Sequence, residues 1–394
     1  MQTGLERFIA EGLPEVDGRR VGLITNPTGV DGRLHSAVDL LWRSDRVRLV
    51  ALFGPEHGIL GTAQAGEKTA SSLDQRTGLP VHSLYGATLR PTAAMLDGLD
   101  ALIFDMQDVG ARYATYLGTL AYAQQAAAEV GLPMVIFDRP NPITGAQVEG
   151  NILDRAFASF VGVHPISARH GLTVGELARM FADERGWPQP IVARMHGWER
   201  GQWFDETGLP WVQPSPNLPT LDSVTLYPGA CLIEGTNLSE GRGTTRPFEL
   251  VGAPWLDAFA LVEALERREL PGVTFRPVTF TPTFSKHAGS ACHGAQAHIT
   301  NRDALRPVSL GLHLVDAMRQ LAPDRFAWLQ GADGRFFIDL LLGSDTPRRA
   351  LDHGIAVEQV IQQWDADARA FAERSQPYLL YGATPMGNGS GDAW

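Results

Sequence analysis

Lysine is nearly absent from this sequence: Lys68 and Lys286 are the only two, and every other basic residue is arginine. With a net charge of -11, the chain lacks the basic surface that neutralising phosphates requires, which argues against a nucleic-acid partner. Cysteine is equally scarce. Cys231 and Cys292 form neither a C-x-x-C pair nor a framework, so no zinc site or disulfide scaffold is indicated and both are expected in the core. No run approaches the ~18 apolar residues of a membrane span, so no membrane insertion is expected. The opening stretch "MQTGLERFIAEGLPEVDG" carries acids and no continuous apolar segment, which does not read as a signal peptide. The expected setting is cytoplasmic, or exported if a leader was removed.

Several chemical signatures are also missing. "ITNPTGVDG" departs from the G-x-G-x-x-G of dinucleotide sites, and neither G-x-x-x-x-G-K-[ST] nor G-x-S-x-G occurs. His57 has no histidine partner at a helical metal spacing. No cofactor and no metal are therefore expected, and an ester hydrolase using His57 or His170 with a metal loses its support.

What is present fits a globular protein of two domains: 394 residues, 44% hydrophobic and 20% charged. From Arg20 short apolar runs alternate with longer amphipathic ones, the pattern of a parallel sheet covered by helices. Strands are predicted at Arg20 to Thr25, Val47 to Phe53, Ala101 to Asp105 and Pro133 to Asp138. Helices are predicted at Leu34 to Arg43, at Tyr116 to Val130 and at Pro307 to Leu321. Another follows Leu172, where Thr173 and Glu176 form a capping box and Gly186 with Pro188 stops the helix. The proline-rich "TGLPWVQPSPNLPT" reads as a crossover between domain 1–223 and a smaller α+β domain 224–394. The final "ATPMGNGSGDAW" reads as a loosely held tail.

Five polar stretches exceed what a fold alone requires, and the first-domain ones fall mostly on the carboxyl rim of the predicted sheet. In "LFGPEHGILG", Glu56 and His57 follow a strand end; a carboxyl partly withdrawn from water there suits proton donation, or else caps the next turn. "FDMQDVGARYATY" offers Asp105, Asp108, Arg112, Tyr113 and Tyr116, suited to a polyhydroxylated or anionic ligand, or to an ordinary salt-bridged loop. "DRPNPITGAQVEGN" offers Asp138, Asn141 and Glu149, with a tight turn as the plain explanation. His170 precedes the capped helix and fits a structural imidazole as well as a ligand contact. "EGTNLSEGRGTTRPFELVGAPW" brings Glu234, Asn237, Glu240 and Arg242 together in a glycine-rich segment facing the first domain.

Taken in order, "GLITNPTGVD", "LFGPEHGILG", "DMQDVGARYATY", "DRPNP", "SPNLPT" and "EGTNLSEGRGTTRPFE" closely resemble the bacterial exo-β-N-acetylmuramidases of the NamZ type, formerly a domain of unknown function. The resemblance runs from about Val21 to the tail. It implies an α/β fold, a Rossmann-like N-terminal domain with a smaller C-terminal domain closing a cleft. It also implies release of terminal, non-reducing β-1,4-linked N-acetylmuramic acid from disaccharides or other peptidoglycan fragments, as in cell-wall recycling. On that likeness Glu56 is the general acid and His57 tunes or orients it. Asn26 and Asn217, within the matching motifs, join the binding candidates. Glycosidases usually add a second carboxylate, for which Asp105, Asp108, Glu149, Glu234 and Glu240 all qualify, and the substrate's own 2-acetamido group is the other choice. The lactyl carboxylate of muramic acid calls for a guanidinium, Arg112 or Arg242. The competing class is a sugar-binding protein that uses the same cleft without turnover.

Overall fold

A computed structural model of the chain describes residues 1–382; the tail expected at 383–394 lies outside the described residues. In the first half, the strands are β1 (Arg20–Thr25), β2 (Arg48–Gly54), β3 (Ser72–Leu73), β4 (Pro80–Ser83), β5 (Ala101–Asp105) and β6 (Met134–Phe137), followed by β7 (Glu149–Ile152), β8 (Ser167–Arg169) and β9 (Ile191–Ala193). Seven of them form one sheet in the order β3-β4-β2-β1-β5-β6-β9, and β7 and β8 pair separately. Only β3 is antiparallel to its neighbour. Without it, the parallel strands run 3-2-1-4-5-6 in chain order, the arrangement of a doubly wound Rossmann-like sheet.

The near-continuous apolar runs follow from burial on both faces. Adjacent residues point to opposite layers. Ile24, Phe53, Phe104 and Ile136 pack with helices Thr115–Glu129 and Val174–Arg185. Their neighbours Leu23, Leu52, Ile103 and Val135 pack with Leu5 and Phe8 of helix Gly4–Glu11 and Leu41 of helix Ala37–Trp42. That last helix starts three residues later than the periodicity suggests, because Leu34 sits at φ 66° and Ser36 supplies the N-cap. The Thr173–Glu176 capping box and the left-handed Gly186 stop are both present.

The second half holds a three-stranded antiparallel sheet in the order β10-β12-β11, with β10 (Leu250–Ala253), β11 (Val273–Phe280) and β12 (Cys292–Ile299). Its inner face packs on helices Ala258–Glu266 and Pro307–Leu321. Another apolar cluster joins the halves, with Val109, Tyr113 and Ile143 from the first against Tyr227, Leu232, Phe248 and Leu341 from the second. The partition expected at residue 223 falls inside helix Leu221–Ala230. The chain also returns at its end: Phe371 of helix Val357–Ser375 joins the first-half core, and Tyr381 donates a 2.6 Å hydrogen bond to Asp138. Both cysteines are free and buried, and among the described residues no helix is long and apolar enough to cross a membrane.

Candidate active site

The run that ends β2 turns back on itself at once. A Cβ on Gly54 would lie 2.9 Å from the Ile59 nitrogen, so this strand end takes only glycine. His57 follows in the left-handed region at φ 70°, an uncommon conformation for a residue with a Cβ. Its ring holds the turn: Nδ1 lies 2.8 Å from the Ala63 carbonyl oxygen, which fixes the proton on that nitrogen. The loop is thereby carried back over Glu56, and the Gly66 N–H donates to Glu56 Oε1 at 2.8 Å. Thr115 Oγ1 donates to Oε2 at 2.5 Å. The Glu56 side chain is thus held from both sides while its residue remains only 7% exposed.

The electrostatics of this wall follow from burial. Desolvation lowers the His57 pKa, Arg242 adds to the effect and the Glu56 charge opposes it, so the ring is neutral near pH 7. Burial, reinforced by the Glu56 charge, pushes the Tyr85 and Tyr116 hydroxyls up, and both stay protonated.

The second half supplies the facing wall. Arg242 donates through Nη2 to Glu234 Oε1 at 2.6 Å, and its Nε lies 3.4 Å from Glu240 Oε1. Glu240 is also 2.9 Å from Lys286 Nζ, which donates to the Ile233 and Thr236 carbonyls and so anchors the segment that carries Glu234. Burial alone would lower the Arg242 pKa, but the charges of Glu234 and Glu240 outweigh it and raise it. Arg242 Nη1 is buried without a hydrogen-bond partner among the described residues. That nitrogen is a donor in reserve.

Between the walls lies a cavity of about 320 Å³, lined by Glu56, His57, Gly66, Tyr85, Thr115, Glu234 and Arg242, with Val109, Val161, Leu218, Phe248 and Leu341 among its apolar members. The volume sits at the lower end of small-ligand pockets, which run ~300–1,000 Å³. It suits one sugar ring rather than a chain. Tyr113 and Tyr116 close the seam, donating to the Pro228 and Pro214 carbonyls.

Of the residues singled out in the sequence, Glu56, His57, Tyr113, Tyr116, Glu234 and Arg242 line this cavity. Glu240 stands one contact behind, on Arg242, and Asn217 donates to Gln64 in the loop over Glu56 at 3.3 Å. The others are placed elsewhere. Asp105 is fully buried against Arg139, at 2.6 and 2.9 Å. Asp138 accepts from Arg139 N, Gly175 N, Thr173 and Tyr381. Asp108 accepts from Gly110 N and lies 3.2 Å from His170 Nε2, while His170 Nδ1 accepts from Leu172 N. Asn26 accepts from Thr28, Asn141 donates to the Leu172 carbonyl, and Asn237 bonds Arg325 O and Ala327 N. Glu149 accepts from Val308 N and Ser309 N at the start of helix Pro307–Leu321, where the helix dipole favours a carboxylate.

Arg112 corrects an expectation. Its guanidinium is buried and donates to four carbonyls, those of Asn151, Ile166, Leu341 and Leu342, so it ties the two halves together and does not reach the cavity. Thr115, Tyr85 and Gly66 also line the cavity without standing out in the sequence. Thr115 lay inside a quoted motif, but a hydroxyl beside two tyrosines gives no signal of its own.

Among the described residues no group of three or more His, Cys, Asp or Glu side chains is placed to hold a metal ion. Comparison with known proteins bears on the whole chain. Family models described as exo-β-N-acetylmuramidase NamZ, N-terminal and C-terminal, match residues 21–222 and 225–381. The chain is 47% identical over 382 residues to the peptidoglycan β-N-acetylmuramidase NamZ of Bacillus subtilis (strain 168), covering 97% of this chain and 91% of that protein. Two solved DUF1343 family structures from Bacteroides fragilis share its fold. One has a TM-score of 0.89 at 37% identity, covering 97% of this chain and 99% of the other. The second has a TM-score of 0.75 at 30% identity, covering 96% and 98%. With both family models matched in order over nearly its full length, the chain belongs to the exo-β-N-acetylmuramidase NamZ family.

Proposed function

We propose that this protein is a glycoside hydrolase that releases the terminal, non-reducing β-1,4-linked N-acetylmuramic acid from peptidoglycan fragments, with Glu56 as general acid. The observation that carries the assignment is the placement of Glu56: a buried carboxyl on the wall of a cavity sized for one sugar, at the seam of the two halves. Cleavage needs a proton for the departing bridging oxygen, and Glu56 supplies it. The name of the Bacillus subtilis relative supports the substrate class.

Two routes fit the sugar cation that then develops. Glu234 is the other carboxylate lining the cavity, where it accepts a 2.6 Å hydrogen bond from Arg242 Nη2. The alternative is assistance by the substrate's own acetamido group, whose methyl suits the apolar lining. The lactyl carboxylate is assigned to Arg242, whose Nη1 is buried without a partner among the described residues. His57 acts through the loop: by holding Ala63 it keeps Gly66 on Glu56.

A chromogenic β-muramide and the matching β-glucosaminide, each with and without chelator, test the reading. Release from the muramide alone, unaffected by chelator, and a large loss of muramyl-disaccharide cleavage in Glu56→Gln are the expected results. Preferred cleavage of the glucosaminide, or tight binding of the muramide without turnover, overturns it.

A further inference from the structure

We infer that Thr115 is a positioning residue for Glu56, and that its hydroxyl selects Oε2 as the oxygen from which the proton is delivered. The inference rests on the general-acid reading and deepens it. The two partners of the carboxyl differ in kind. Gly66 offers a backbone N–H, which can only donate, so Oε1 must remain an acceptor while that 2.8 Å bond exists. Thr115 offers a hydroxyl, which both donates and accepts. Oε2, 2.5 Å from Thr115 Oγ1, therefore faces the partner that can accept its proton as well as donate to it, whereas Oε1 faces a donor alone.

Helix geometry supports the assignment. Thr115 is the first residue of helix Thr115–Glu129, a helix that begins at Ala114 with no side-chain cap. The hydroxyl is directed instead at Glu56, across 59 positions of sequence. The Tyr85 hydroxyl lines the same cavity, and burial together with the Glu56 charge keeps it protonated.

In the resting acid the Oε2 proton points to Thr115 Oγ1, which accepts it. When the bridging oxygen of a substrate arrives, the Oε2–H bond breaks and the proton bonds to that oxygen. The bond from the sugar carbon to the bridging oxygen breaks with its electron pair leaving on the oxygen. Thr115 then rotates to donate to the new carboxylate. Water later supplies the hydroxyl for the sugar carbon and the proton that restores Glu56.

Thr115→Val removes the hydroxyl and keeps the shape. The test compares kcat and KM on a muramyl disaccharide, whose sugar leaving group needs the proton, and on a nitrophenyl β-muramide, whose leaving group needs it far less. Loss of at least about tenfold in kcat on the disaccharide, a clearly smaller loss on the nitrophenyl substrate, little change in KM, and recovery in Thr115→Ser are expected. An equal loss on both substrates, wild-type rates in Thr115→Val, or a serine variant as poor as the valine overturns the role of Thr115. If the valine variant does not fold, Thr115→Ala is read by the same criteria. A wild type that cleaves neither substrate instead overturns the muramidase reading itself.

Discussion

Two carboxylate-rich regions lie along the carboxyl rim of the same sheet, at the β1/β5 switch point and at the seam between the halves. At the switch point, where doubly wound sheets commonly bind nucleotides, Asp105 is matched by Arg139 and Asp138 by four donors. The space left there is about 20 Å³, enough for a single water. At the seam, Glu56 and Glu234 border about 320 Å³ and Arg242 keeps one nitrogen in reserve. Glu56 is an acid at or just past a strand end, as Asp105 and Asp138 are. What separates a structural carboxylate from a candidate catalytic one here is whether its partners already fill the space around it.

Glu56→Gln sharpens that contrast most. Loss of the acid is expected to lower kcat on a muramyl disaccharide by ~10²–10⁴. The melting temperature should barely move, because the amide oxygen still accepts from Gly66 and Thr115 can turn to accept from the amide nitrogen. Asp105→Ala should do the reverse. It leaves the buried Arg139 guanidinium with only the Val30 carbonyl, a loss of ~3–5 kcal/mol in urea unfolding. Activity per folded molecule should be retained. A stable Asp105→Ala protein without activity would break the distinction between the regions.

Asp138 gives the switch point a pH signature. Burial, with a contribution from the Glu176 charge, pushes its pKa to about 6 against the opposing hydrogen bonds from Tyr381, Gly175 and Thr173. The folded state therefore holds a proton that the unfolded chain releases near pH ~4. This stabilisation is complete below that pH and is lost as pH rises through about 6, a change of up to ~3 kcal/mol. Denaturant midpoints from pH 4 to 7 should show wild type losing ground to Asp138→Asn. Parallel curves would remove Asp138 as the cause.

Much of this was legible in the chain itself. The strands β1 and β5, the Thr173 capping box and helix Pro307–Leu321 follow from apolar runs and caps that act locally. The short β3, β4 and β9 carry too few residues for a period and form because a longer strand already lies beside them. For the candidate site, Glu56 and Arg242 stand out because acid and arginine are rare among glycines. Arg112 stood out equally, and only tertiary structure shows that its donors go to carbonyls on both halves. Thr115 was silent for a related reason: its partner too is distant in sequence, and a lone hydroxyl does not stand out.

Arg242 makes the smallest and most selective effect. Its Nε and Nη2 already face Glu234 and Glu240, so its charge is largely offset, and only Nη1 remains for a ligand. A hydrogen bond between charged groups contributes ~1.5–3 kcal/mol, which corresponds to roughly 10–100-fold in kcat/KM. Arg242→Met should therefore cost a muramide that much more than a substrate whose lactyl carboxylate has been converted to a neutral amide. Because both substrates share the same sugar ring and leaving group, disturbance of Glu234 by the substitution affects them alike and cancels in the ratio. Equal losses would mean that Arg242 serves only to hold Glu234 and Glu240 in place, and that the lactyl group is read elsewhere on the cavity wall.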